Sequence, residues 1–147
     1  IVRLFNTIGP NQLSQYGMVV PKFIEAALVD EDILIHGDGS QSRSFTWVDD
    51  VVNYLIKLAE IKAYGEIFNI GQTEEITIKE LAELVISKTN SNSKIIYKSH
   101  EEVFGKAFED PKRRTPDINK IIEFTGMKPT KKIDFMVENI IDFKKNS

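Results

Sequence analysis

Apolar positions recur along this chain with two distinct periods. Between Met18 and Val29 they fall at Val20, Phe23, Ile24, Ala27 and Leu28, a three-to-four spacing that predicts a helix, with Pro21 tolerated in its first turn. The same spacing predicts a helix over "VDDVVNYLIKLAEI", where Val48, Val51, Val52, Leu55, Ile56, Leu58 and Ala59 form an apolar stripe. A third helix is expected in "TIKELAELVISKT", with Ile78, Leu81, Ala82, Leu84 and Val85 on its apolar face and Thr77 and Glu80 at capping-box spacing. Two more are expected: "INKIIEFTG", capped by Asp117 and closed by Gly126, and a last helix from about Ile133 to Phe143. Short apolar runs between turn residues read as strands: Ile1 to Phe5, "DILIHG" closed by Gly37, "EIFNIG" and "KIIYKS". Helices alternating with strands give an α/β class.

Two stretches depart from this rhythm. Ile1, Val2, Leu4 and Phe5 suit a buried strand, so a chain that opens on them is expected to be a piece of something longer. Residues 100–116 are polar and carry Pro111 and Pro116, which predicts a long loop, alone or with a short helix, of a kind often functional.

Composition then removes several functions. The chain has no cysteine, which excludes disulfides, thiolate metal sites and cysteine nucleophiles. His36 and His100 stand apart without metal-ligand spacing, so no metal site is expected. A net charge of −3 argues against a general nucleic-acid binder, and the short cluster Lys112-Arg113-Arg114 suits a small anion better than a polymer. No apolar run approaches the roughly 20 residues that span a bilayer. No signal peptide is visible, and a cytoplasmic location without membrane contact is the expectation.

Three polar positions call for more than folding. Asn6 directly follows the first strand, and ligands of open α/β sheets gather at the carboxyl ends of strands. Its amide would suit a phosphate or sugar oxygen; starting a turn is the plainer role. The second is "HGDGSQSRSFTWVDDV". A dinucleotide-binding turn needs Gly-x-Gly-x-x-Gly leading straight into a helix, but Ser42 stands at the third position and the helix is due only near Val48. What remains is Arg43, whose planar fork suits a phosphate as well as a surface ion pair. The third is "DPKRRTPD", where Arg113 and Arg114 lie between two prolines and Asp117 follows. Arginine on phosphate with a carboxylate on ribose hydroxyls would serve a nucleotide; a solvated charged loop is the alternative.

Taken in order, "RLFNTIGP", "YGMVVPKFI", "GDGSQSRSFTWVDDV", "EIFNIG" and "DPKRRTPDINK" resemble the C-terminal half of extended short-chain dehydrogenase/reductases that act on nucleotide-sugars. UDP-glucose 4-epimerases, UDP-glucuronate decarboxylases and sugar 4,6-dehydratases share this series. The resemblance covers essentially the whole chain. It implies the last parallel strands of an NAD(P)-binding Rossmann-like sheet plus a small substrate-binding subdomain, residues 1–147 forming the C-terminal portion and the NAD-binding part preceding them.

The resemblance also implies roles. Asn6 matches the asparagine that contacts the substrate diphosphate, and Met18 and Val19 match the pair lining the base. His36 stands where the family usually places a Tyr or Phe stacked on the base, a departure that an imidazole can still serve. Arg43 and Arg114 match the two arginines on the diphosphate, and Asp117 the acid on the ribose hydroxyls. The family reacts through a Tyr-x-x-x-Lys pair, the tyrosine moving a proton while NAD exchanges hydride. Tyr16, Tyr54, Tyr64 and Tyr97 all lack a lysine four residues on, so no catalytic residue is expected in this chain and the pair is expected upstream.

The implied activity is NAD-dependent conversion of a nucleotide-diphosphate sugar, a UDP-sugar or another nucleotide-sugar, through a 4-keto intermediate. It is most like a UDP-glucose 4-epimerase, homodimeric when complete, with this chain inactive alone. A UDP-glucuronate decarboxylase or a 4,6-dehydratase is the rival within the class. Outside it stand a nucleotide-sugar binding module without catalysis and a structural α/β domain without ligand.

Overall fold

The computed structural model describes residues 1–14, 18–99 and 111–147. Its elements run β1 (Val2–Leu4), β2 (Thr7–Ile8), α1 (Val19–Leu28), β3 (Ile33–His36), β4 (Ser42–Ser44), β5 (Thr46–Trp47), α2 (Val48–Glu60), β6 (Phe68–Ile70), β7 (Glu75–Thr77), α3 (Ile78–Thr89), β8 (Ile95–Lys98), β9 (Arg113–Arg114), α4 (Asn119–Thr125) and α5 (Ile133–Lys145). The five expected helices and four expected strands are all present. Part of the expected loop, 100–110, lies outside the described residues, as do Tyr16 and His100. The other strands are two or three residues long, too short for an alternation to register.

Three parallel pairs dominate the pairing: β1 with β6, β2 with β5, and β3 with β8. A small mixed sheet of order β7-β4-β9 joins segments far apart in the chain. The larger core gathers α1, α3 and α5 over β3 and β5, with Ile24, Ile33, Leu81, Ala82, Val85 and Val137 wholly enclosed. The smaller one packs Val51 and Tyr54 of α2 against Phe68, Ile70 and Ile121.

Local chemistry sets the helix ends. The Thr77 hydroxyl accepts from the Glu80 amide at 3.1 Å, and the Glu80 carboxylate accepts from the Thr77 amide at 2.9 Å, a closed capping box. Gly126, at φ 70°, ends α4 in the left-handed conformation that glycine adopts without a Cβ clash.

Leu4 is 52% and Ile1 80% exposed in this chain, where β1 pairs with β6 alone among the described residues. The smaller core reaches Val2 and stops short of Leu4. The α2 stripe is narrower than expected. Asp50, Val51 and Tyr54 face inward, while Val52, Leu55 and Ile56 stay exposed on a second apolar face.

Candidate functional site

Strand β4 runs through the centre of the small sheet. Arg43 pairs in register with Arg114 on parallel β9 and with Ile76 on antiparallel β7. Side chains alternate across a sheet, so directly opposed residues share a face. Arg43 and Arg114 therefore lie side by side on one face, and Ser42, Glu75 and Arg113 belong to the other.

The two arginines of the pair differ. Arg43 is 9% exposed, and its Nη1 donates to the carbonyls of Ser42 at 2.7 Å and Pro111 at 2.9 Å, tying β4 to the segment that carries β9. Arg114 is exposed, and its side chain has no hydrogen-bond or ion-pair partner among the described residues. On the opposite face one Glu75 oxygen accepts from Arg113 Nε and Nη2, each at 2.7 Å, and the other from the Ser42 hydroxyl at 2.8 Å. These bonds, Arg113's foremost, hold the Glu75 carboxyl down at about 2.

Asn6 sits beside this sheet. Its Nδ2 donates to the Ser44 carbonyl at 2.9 Å, its own carbonyl accepts from the Thr46 amide, and its φ is 37°. It thus bends the chain between β1 and β2 and already uses one of its two amide hydrogens. Thr46 clamps the same place, its hydroxyl donating to the Phe5 carbonyl and accepting from the Gln72 amide. Gln12 Nε2 reaches both the Thr7 carbonyl and Met18 Sδ, which ties the residue before α1 to the start of β2.

Asp117 follows β9. Its Oδ1 accepts from the Asn119 amide at 2.9 Å, and its carbonyl accepts from Asn69 Nδ2 on β6; the cap position of α4 falls to Ile118, so Asp117 stands one residue outside the cap expected of it and bridges to the first helical amide. Gly71 lets this segment close in: a Cβ there would lie 2.5 Å from Pro116 Cγ and 3.0 Å from Phe5 Cβ.

The glycine loop is closed on itself. Gln41 Nε2 donates to the His36 carbonyl at 2.8 Å, and Asp38 accepts from both the amide and hydroxyl of Ser40, which lowers its carboxyl. Gly37 and Gly39 take φ 79° and 77°. The loop leads into β4 and not into a helix, and the Gly37 amide is spent on the Lys98 carbonyl. This turn therefore does not fit a dinucleotide pyrophosphate.

Beside it opens a cavity of about 810 Å³, lined by Gly37, Asp38, Ser40, Gln41, Tyr97 and Lys98 together with Ser99 and Lys112. None of the seven expected residues lines it, though His36 immediately precedes Gly37. The structure pairs Arg43 with Arg114, sets Asn6 against Ser44 of the same strand, ties Met18 through Gln12 to Thr7 of β2 and leaves Asp117 three residues beyond Arg114. His36 ends β3, and its carbonyl accepts from Gln41 across the glycine loop.

Sequence reading overlooked Glu75, Gln41 and Asp50. Asp50 is 5% exposed and accepts from the Thr130 amide and hydroxyl at 2.9 and 2.8 Å, binding α2 to the segment before α5. An acid inside an amphipathic helix carries no local mark of such a distant partner.

Residues 1–71 match the NAD dependent epimerase/dehydratase family. Over 130 residues the chain is 42% identical to a UDP-N-acetyl-alpha-D-glucosaminuronate decarboxylase of Bacillus cytotoxicus, covering 88% of this chain and 40% of that protein. It is 40% identical to UDP-glucuronic acid decarboxylase 4 of Arabidopsis thaliana, covering 88% of this chain and 28% of that one. Among solved structures, UDP-glucuronic acid 4-epimerase from Bacillus cereus, in complex with UDP-glucuronic acid and NAD, superposes with a TM-score of 0.86 at 25% identity, over 99% of this chain and 44% of the other. UDP-glucose 4-epimerase from Thermotoga maritima, with UDP-glucose, gives 0.83 at 27% identity, over 99% and 45%. The chain thus spans less than half the length of these relatives. Its α/β architecture matches a fragment of the Rossmann-like fold of extended short-chain dehydrogenase/reductases.

Proposed function

We propose that this chain is the C-terminal, substrate-binding portion of an NAD-dependent enzyme of the epimerase/dehydratase family that acts on a UDP-sugar. One observation carries the reading: Arg43 and Arg114, distant in sequence, are register partners on one face of a sheet. Two guanidinium groups so placed suit the two phosphates of a nucleoside diphosphate. Asn6 offers its second amide hydrogen to the same diphosphate. Asp117 receives the ribose hydroxyls. Met18 and Val19 line the base, and His36 stacks on it next to the cavity beside Gly37.

The reaction class follows from likeness. The curated relatives named above, at 40–42% identity, are decarboxylases of UDP-linked uronic acids, whereas the epimerases match at 25–27%. That difference favours decarboxylation, in which a ketone at C4 of the sugar makes loss of the C6 carboxylate easy. 4-Epimerisation of UDP-glucose, implied by the motif series, is the second reading, supported by the superposition on epimerases. NAD enters from the family, and no described residue of this chain is assigned to hold it. The NAD-binding part and the Tyr-x-x-x-Lys pair belong, on this reading, to the preceding portion of the protein.

The test is an assay of the intact gene product with NAD, offered UDP-glucuronate or UDP-glucose in parallel. Release of carbon dioxide with formation of a UDP-pentose is expected. UDP-galactose from UDP-glucose with no decarboxylation selects the second reading. UDP-sugar binding without turnover selects a binding module, and absence of UDP binding overturns the reading altogether.

A further inference from the structure

The strand that carries Arg114 is only two residues long and comes from a segment remote from its neighbours. So short a strand has little backbone pairing to fix its register. Two side-chain ties reinforce it. One is Arg43 on the Pro111 carbonyl. The other is Glu75, which reaches from β7 across β4 to Arg113 and takes the Ser42 hydroxyl on its second oxygen. Glu75 thus touches all three strands of the sheet from the face opposite Arg43 and Arg114.

We propose that Glu75 is a positioning residue for the diphosphate site: through Arg113 it holds β9 in the register that sets Arg114 beside Arg43. This rests on the reading of Arg43 and Arg114 given above. Arg113 and Arg114 are consecutive, so they point to opposite faces. Fixing one on Glu75 commits the other to the Arg43 face. The Arg113 side chain is 72% exposed, and an ion pair so open to water contributes little to stability. Its geometry is nonetheless specific: two donors of one guanidinium converge on a carboxylate whose other oxygen is already engaged. The carboxyl, held at about 2, stays charged at every pH where UDP binding would be measured. Of the two consecutive arginines, then, Arg113 is the internal tie and Arg114 is turned outward.

The test is calorimetric titration of the intact gene product with UDP, alongside melting curves. Glu75→Ala is expected to weaken UDP binding about tenfold with little change in melting, the affinity equivalent of one charge-assisted contact misplaced. In an Arg114→Ala background the same change is expected to have no further effect, a non-additivity that a general loss of structure would not produce. The swapped pair Glu75→Arg with Arg113→Glu is expected to recover most of the affinity. Should Glu75→Ala melt, Arg113→Ala carries the same test from an exposed position. If UDP binding is unchanged in Glu75→Ala and Arg113→Ala while Arg114→Ala weakens it, the positioning role is overturned and the site stands. If Arg114→Ala also leaves UDP binding unchanged, or wild type does not bind UDP, the site reading falls and takes this role with it.

Discussion

Arg43 and Arg114 face each other as register partners on adjacent parallel strands, yet only Arg43 is buried and bonded to the backbone. This asymmetry separates two mutants that the sequence alone treats alike. Arg114→Ala is expected to weaken UDP binding by about 10- to 150-fold with an unchanged melting temperature, since each charge-assisted contact contributes roughly 1.5–3 kcal/mol. Arg43→Ala is expected to weaken binding and also to destabilise the fold by about 1–3 kcal/mol, because the Pro111 carbonyl loses its donor. Titration with UDP together with urea unfolding distinguishes them. Equal stability of the two variants would contradict the observed division of labour.

Asp117 joins a helix start to the proposed ribose contact. Asp117→Asn keeps an acceptor for the Asn119 amide, so unfolding is expected to stay near that of the wild type. Binding of UDP is expected to weaken, because a neutral amide is a poorer acceptor for ribose hydroxyls than a carboxylate. Lost stability with unchanged UDP affinity would leave Asp117 as a tie at the helix start and nothing more.

Gly71 lies against both Phe5, just after β1, and Pro116, in the segment leading to Asp117. Its replacement by alanine would set a methyl 2.5 Å from Pro116 Cγ. The expected cost is about 1–3 kcal/mol for overpacking, with weaker UDP binding as Pro116 and Asp117 are pushed away. Chemical denaturation and UDP titration of the variant check both effects; a variant as stable and as tight as wild type would mean that this approach is not rigid.

Tyr54 gives a pH-dependent signature. Burial, aided by nearby Asp50, pushes its phenol up to about 12, and its hydroxyl donates to the Met127 carbonyl. The folded chain therefore binds the phenolic proton more tightly than the unfolded chain does. The stabilisation is fully present below the ordinary value of 10.0 and is lost as pH rises through about 12. Ultraviolet titration of the tyrosines is expected to show one phenol ionising near 12, a step absent from Tyr54→Phe. If the late step survives in that variant, another tyrosine is responsible.

Much of this protein is determined by sequence alone. The helices follow from apolar spacing, the Thr77–Glu80 box and Gly126, because a helix is stabilised by neighbours three and four residues away. The strands β3 and β8 are legible for a similar reason: each is a compact apolar run between turn residues. Ser42 at the third position of the glycine loop is enough to set aside a dinucleotide turn. The motif order points to a nucleotide-sugar family before any contact is known.

Tertiary structure decides the rest. The strands β4, β7 and β9 are too short to show a period, and their pairing depends on partners far along the chain. Only that pairing sets Arg114 beside Arg43 and turns Arg113 away to Glu75. Whether Val52 and Leu4 are buried depends on which surfaces the two cores reach, which apolar spacing cannot say. Asp50 and Glu75 look like ordinary surface acids in the sequence. Folding gives one Thr130 and the other Arg113, and a charged group has no defined role until the fold supplies its partner.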